Sequence, residues 1–120
     1  MGFNFKNDTP IYLQIIEEIK KLIITGKYLP EQKLPSVRDF SASFCVNPNT
    51  VQKALLELES DGLIYTERTS GKFVTNDLTV IENAKNEAIV KLTLNFLNEA
   101  QTLGITKQII IDIIESESDL

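Results

Sequence analysis

Apolar residues recur every three or four positions from Tyr12 to Ile23, at Tyr12, Ile15, Ile16, Ile19, Leu22 and Ile23. That spacing lines one face of an α-helix, with Glu17, Lys20 and Lys21 on the other side. Thr9-Pro10 predicts its start, an N-cap followed by proline in the first turn, and Gly26 predicts its end. Leu29-Pro30 and Leu34-Pro35 bracket a short extended connection, because a residue before proline avoids the α region. Ser36 is then placed to cap a second helix, with Asp39 at its third position and Val37, Phe40 and Phe44 inside. A turn at Cys45-Val46 leads to Asn47-Pro48, which opens a third helix with Val51, Ala54, Leu55 and Leu58 as its buried stripe. Gly62 stops it. Residues 63–66 and 72–75 have the composition of two strands joined through residues 67–71.

The pattern changes after Asn76-Asp77. A helix over residues 78–103 aligns Ile81, Ala84, Ala88, Leu92, Phe96, Ala100 and Leu103 in one seam, which Ile89, Val90, Leu94 and Leu97 widen. Gly104 breaks it. Thr106 is placed to cap a last helix rich in isoleucine (Ile109, Ile110, Ile111, Ile113, Ile114), and residues 115–120 are expected to fray. The fold predicted is mainly α with a small β-hairpin. A winged helix-turn-helix occupies residues 1–76 and a helical tail residues 77–120.

Charge sharpens the division of labour. The 120 residues carry a net charge of −5, which argues against a polycation that coats nucleic acid non-specifically. Residues 1–77 hold nine basic and ten acidic side chains, residues 78–120 three and seven. The cations are thus concentrated in the winged helix, and the acidic tail suits a place away from phosphates. There is no histidine and one cysteine, Cys45. No imidazole is present to bind metal or move protons near neutral pH. No internal disulfide is possible, which fits a reducing cytoplasm. MGFNFKND lacks a signal-peptide core and the Ser/Thr of an acylation signal after Met1-Gly2. No run of about 18 apolar residues suggests a membrane span. No metal or cofactor is expected, and enzymatic chemistry is disfavoured: adjacent carboxylates such as Glu17-Glu18 point apart on a helix, and nothing basic flanks Cys45 to activate it.

With Val51, Ala54, Leu55 and Leu58 facing the core, the third helix leaves Asn49, Thr50, Gln52 and Lys53 outside. Alone, such a stripe describes a solvated helix face. Preceded by a helix and tight turn and followed by a hairpin, it has the layout of a helix laid in a DNA major groove. Asn and Gln pair with adenine edges, Thr offers a hydroxyl or methyl, and Lys takes phosphate or guanine. Arg38 and Ser36, at the start of the second helix, are candidate phosphate contacts that set register. The expected DNA-binding set is Ser36, Arg38, Asn47, Asn49, Thr50, Gln52 and Lys53, with Arg68 and Lys72 from the hairpin.

Several motifs in this region are similar to those of the GntR family of bacterial transcription regulators. Leu34-Pro35-Ser36-x-Arg38-Asp39 resembles the family's LPSER-E/D box. Asn49-Thr50-Val51-x-Lys53-Ala54-Leu55, Leu58-Glu59-x-x-Gly62-Leu63-Ile64 and Gly71-x-Phe73-Val74 continue the match. Thr9-Pro10-Ile11-Tyr12-x-Gln14-Ile15 resembles its first helix. Residues 47–53 and the short remainder resemble the YtrA-type branch, which implies a small dimerising helical tail and repression of its own operon, often beside ABC transporter genes. The chain departs from the family pattern at Pro48 and Gln52, where arginine is usual, so guanine contacts are not carried over and the operator should differ. Thr69 stands where the wing usually has glycine, Ser70 where a basic residue is frequent, and Leu56 where a polar one is common.

One such module reads only a few base pairs, whereas two across a two-fold axis read a palindrome. The tail's apolar positions spread round more than one face, which one small domain does not cover. Ile81, Ala88, Leu92, Phe96, Ile109, Ile110 and Ile113 are therefore the expected dimer contacts. The reading is a cytoplasmic, homodimeric, sequence-specific repressor on double-stranded DNA, with the effector unknown. The alternatives are a winged helix that binds protein and a small-ligand sensor with a pocket between the tail helices.

Overall fold

The structure is a computed structural model that describes residues 3–117 and residue 119. The expected fraying of residues 115–120 falls partly on Ser118 and Leu120, and the acylation reading on Met1 and Gly2, all outside the described residues. The elements run α1 (Ile11–Ile24), α2 (Val37–Phe44), α3 (Pro48–Ser60), β1 (Ile64–Glu67), β2 (Gly71–Val74), α4 (Leu78–Thr102) and α5 (Lys107–Ser116). The chain divides into two compact units, Met1–Lys85 and Asn86–Leu120.

The first unit is built on the stripes legible in the sequence. Ile15, Ile16, Ile19 and Ile23 of α1 meet Phe40 and Phe44 of α2 and Val51, Ala54, Leu55 and Leu58 of α3, closed by Leu34, Leu63, Ile64 and Val74. Ser36 caps α2, its hydroxyl accepting from the Asp39 N–H at 3.0 Å. Cys45 ends that helix in the left-handed conformation, exposed (φ 57°, ψ 47°). This lets the Val46 N–H reach the Ser41 carbonyl at 3.1 Å and makes the turn tight. Asn47 caps α3 by accepting from the Asn49 N–H at 2.7 Å, with Pro48 as first helical residue.

Three local expectations are corrected. Thr9 does not cap α1: the cap position is Pro10 and no side chain bonds there. Gln14 does the work instead. Its amide donates to the carbonyls of Thr9 and Lys6, both at 2.9 Å, and accepts from the Lys6 N–H at 2.8 Å. A long amide one turn into the helix reaches the incoming strand of chain, which a threonine hydroxyl is too short to do. Second, the hairpin spans 64–67 and 71–74, pairing Tyr65 with Phe73 and Thr66 with Lys72, so Glu67 and Gly71 are strand rather than loop. Third, the extended connection is a sheet edge. The Leu34 N–H donates to Lys72 O at 2.8 Å, Val74 N–H to Gln32 O at 3.0 Å and Glu31 N–H to Val74 O at 2.9 Å, around a bridge between Lys33 and Phe73.

In the second unit, Gly104 (φ 71°) ends the α4 segment and Thr106 caps α5, accepting from the Ile109 N–H at 3.3 Å. Ala100 and Ile110 are its buried pair. No helix among the described residues is long and apolar enough to cross a membrane.

Candidate nucleic-acid interface

The first two turns of α3 present the proposed reading surface. Asn49, Gln52 and Lys53 are exposed and Thr50 half-buried. The four-residue core stripe on the opposite side fixes the rotation of the helix, so these residues are outside by geometry and not by chance. Asn47 spends one side-chain oxygen on the cap and stays exposed, while its amide hydrogens remain for a phosphate. The bond at Asn49 uses its backbone N–H, which leaves the side-chain amide unspent there. Ser36 and Arg38 are exposed at the start of α2, and the Ser36 hydroxyl, an acceptor in its cap, still has its own hydrogen to donate. Two helix N-termini, those of α2 and α3, thus carry exposed N–H-rich turns together with an arginine, a combination suited to phosphate oxygens.

The two basic hairpin residues separate. Arg68 sits exposed in the turn between the strands. Lys72, expected to reach DNA, is turned inward. Its ammonium contacts the Glu59 carboxylate at 3.1 Å and donates to the Thr66 hydroxyl at 2.8 Å, and its side chain is only 18% exposed. The cause is register. Lys72 and Val74 share one face of β2, and Val74 belongs to the core, so Lys72 points towards α3. It ties the wing to the C-terminal end of α3. The same contact, chiefly the hydrogen bond from Lys72, holds the Glu59 carboxyl below the usual carboxylate range.

A group with a depressed folded-state pKa contributes stability above its unfolded value and loses it as pH falls through the folded one. Acidification below the ordinary carboxylate range should therefore loosen the hairpin. Protection factors of the β1 and β2 amides, which allow for the slower intrinsic exchange at low pH, are expected to fall on that descent, and Glu59→Gln should show the lower protection already at pH 7. The contribution is modest, at most about 1 kcal/mol for a pair this close to solvent. Equal hairpin protection in both proteins at both pH values would deny the tether.

Two partnerships were hidden from sequence reasoning. Lys53 places its ammonium 3.9 Å from the centroid of the Tyr12 ring on α1. Lys33, through its bridge to Phe73, lies against the wing: a Cβ added at Gly71 (φ 117°) would meet Lys33 Cε at 3.2 Å. The only sequence signal for Lys33 is its place just before Leu34-Pro35-Ser36. Leu56 follows Gln52 by one turn on the open side of α3 and is 55% exposed.

The tail residues also separate. Ile81 packs, half-buried, on the core of the first unit, beside Val80 and Ala84, so it is not free for a partner. Ile110 is buried within the second unit, against the cleft formed with Phe96, Ala100 and Leu103. That cleft of about 350 Å³ is lined mainly by apolar side chains, with Glu99 and Thr102 also at its wall. Ala88, Leu92, Phe96, Ile109 and Ile113 remain exposed, Leu92 at 73%. Among the described residues no cluster of potential metal ligands exists.

Residues 11–74 match the model of the bacterial regulatory proteins of the gntR family. The chain is 40% identical to the HTH-type transcriptional repressor YtrA of Bacillus subtilis over 89% of its own length and 73% of that protein's. A GntR family transcriptional regulator from Listeria monocytogenes superposes with a TM-score of 0.87 at 41% identity, covering 95% of this chain and 100% of that one. An AraR DNA-binding domain in complex with operator ORX1 superposes with a TM-score of 0.55 at 37% identity, over 62% of this chain and 90% of that one. The winged helix with its mainly helical remainder is thus an architecture shared with regulators, and the non-enzymatic reading of the sequence agrees with it. The chain belongs to the GntR family of DNA-binding transcriptional regulators.

Proposed function

We propose that the protein is a homodimeric, cytoplasmic repressor that lays one α3 from each subunit in successive major grooves of a palindromic operator. The observation that carries this is the outward-facing stripe of exposed Asn49 and Gln52 with half-buried Thr50, held in place by the Asn47 cap and the buried face behind it. Asn49 and Gln52 read base edges. Ser36, Arg38, Asn47 and Lys53 grip phosphates and Arg68 reaches from the wing, while Lys72 acts indirectly by anchoring that wing. Residues 1–76 serve as the reading domain and 77–120 as the clamp, with the first two turns of α4 lending Val80, Ile81 and Ala84 to the reading domain's core.

Dimerisation through the tail is supported by Leu92, Phe96, Leu103, Ile109 and Ile113, which stand in water on so short a segment. Apolar groups crowded at this density mark an association surface. We assign the mainly apolar cleft of the second unit to that surface and not to a polar effector. The similarity to the YtrA repressor and the branch resemblance point to its own operon, alongside ABC transporter genes, as the target.

The test is a gel shift and footprint on DNA upstream of its own gene, paired with sedimentation of the free protein. A two-fold protected pattern and a dimer support the reading; no protection, or a monomer, refutes it. Arg38→Ala sharpens it. Two phosphate contacts disappear per dimer, so the slope of log affinity against log salt should become shallower by about 2. Affinity should drop at least about tenfold, with fold and dimer intact. An unaltered slope would exclude Arg38 from the interface.

A further inference from the structure

The family reading leaves open what a lysine on the reading helix does, since lysine serves either a guanine or a phosphate. The surroundings of Lys53 bear on the choice. Lys53 follows Gln52 around α3, and its ammonium stops 3.9 Å from the centre of the Tyr12 ring. Tyr12 belongs to the first turn of α1 and is itself packed, half-buried, against the core. Neither ion pair among the described residues involves Lys53, so the ring face is the partner the structure provides. A ring face is electron-rich and attracts an ammonium, and tyrosine, with few rotors and a packed edge, is a rigid platform. The lysine stem, by contrast, carries four flexible carbons and gains most from being held.

We propose that Tyr12 is a positioning residue that stations the Lys53 ammonium at the groove margin, where it meets backbone phosphate, and withholds it from the base edges read by Asn49 and Gln52. This rests on the repressor reading above. The direction follows from the contact: the stem of Lys53, about 100° round α3 from Gln52, leans from α3 towards Tyr12 on α1. A phosphate contact helps every sequence equally, whereas a base contact helps only the operator. Tyr12 thereby keeps Lys53 from adding sequence preference and turns it into a source of general affinity.

The experiment is a set of anisotropy titrations with the full chain on two duplexes of equal length, one from upstream of its own gene and one of random sequence. Tyr12→Leu should weaken both duplexes by the same factor, about two- to fivefold per half-site and about five- to thirtyfold for the dimer. Tyr12→Phe, which keeps the ring, should restore most of that loss. In a Lys53→Met background, Tyr12→Leu should cost nothing further. A loss confined to the upstream duplex, tighter binding by Tyr12→Leu, or a full loss in Tyr12→Phe would each overturn the proposal. So would an undiminished loss in the Lys53→Met background.

Should Tyr12→Leu fold poorly, the wild-type protein still answers. The Lys53 ε-protons should be shifted upfield by the ring both free and on DNA, and ordinary shifts in the complex would overturn the assignment. If the unaltered protein binds neither duplex, the repressor reading fails with it; if it binds and Tyr12→Leu matches it on both, only the role of Tyr12 fails.

Discussion

A chain carrying Leu92→Glu and Phe96→Glu is expected to sediment as a monomer and to lose operator affinity by about two to four orders of magnitude. Both side chains lie on α4, one turn apart, and are 73% and 53% exposed. Water already surrounds most of each, so the substitutions remove little from the second unit's own packing. Glutamate is also a good helix former. Circular dichroism should therefore show unchanged helix content. At a two-fold interface each substitution occurs twice, so four carboxylates meet where apolar surface was to be buried. Burying unpaired charge costs several kcal/mol, more than a short apolar seam returns. The loss on DNA has a separate origin: each reading domain then binds alone and the effective concentration conferred by its twin disappears. A double variant that remains dimeric would move the interface elsewhere on the chain.

Gln52→Ala should produce the second large effect, with the opposite signature. The dimer, the fold and the salt dependence should all stay as they are, because glutamine is neutral, exposed and replaced by a better helix former. Affinity for the operator should fall by about 2–6 kcal/mol, since a bidentate base contact is worth about 1–3 kcal/mol and is made once in each half-site. Binding to random DNA should not change. The reverse experiment is as informative. Gln52→Arg introduces the side chain usual in the family at this position and is expected to move preference towards guanine at the matching base pair. An alanine variant with an unchanged footprint and affinity would remove Gln52 from base readout and shift the burden to Asn49 and Thr50.

These expectations draw on two kinds of information. The stripe Val51, Ala54, Leu55, Leu58 and the caps at Ser36 and Asn47 were readable as sequence. A 3.6-residue period and a cap are local properties of neighbouring residues, and the structure confirms both. The α1 start was misread at Thr9 because the interaction that organises it runs from Gln14 back to Lys6, a separation at which side-chain reach, not propensity, decides. The edge at residues 31–34 read as a linker because two prolines and four residues carry no periodic signal. Its order comes from backbone hydrogen bonds to β2, some forty residues later. Lys72 looked like a basic residue near a hairpin tip. Strand register assigned it to the inner face and Glu59 captured it.

The tail shows the same limit most plainly. Ile81, Leu92 and Ile110 are alike in size and apolarity, and each falls among the apolar positions of a helix. Ile81 completes the first unit's core, Ile110 the interior of the second unit, and Leu92 is left in solvent. Sequence by itself determined the capped starts of α2 and α3, which face of each is apolar, and hence that Asn49, Gln52 and Arg38 lie outside. Each of those properties depends on residues a few positions apart. Only the tertiary structure decided which apolar side chains are already satisfied and which cations are already engaged, Lys72 by Glu59 and Lys53 by Tyr12. Burial and pairing are relations between distant segments, and a side chain's chemistry becomes a function only once folding has settled what stands opposite it.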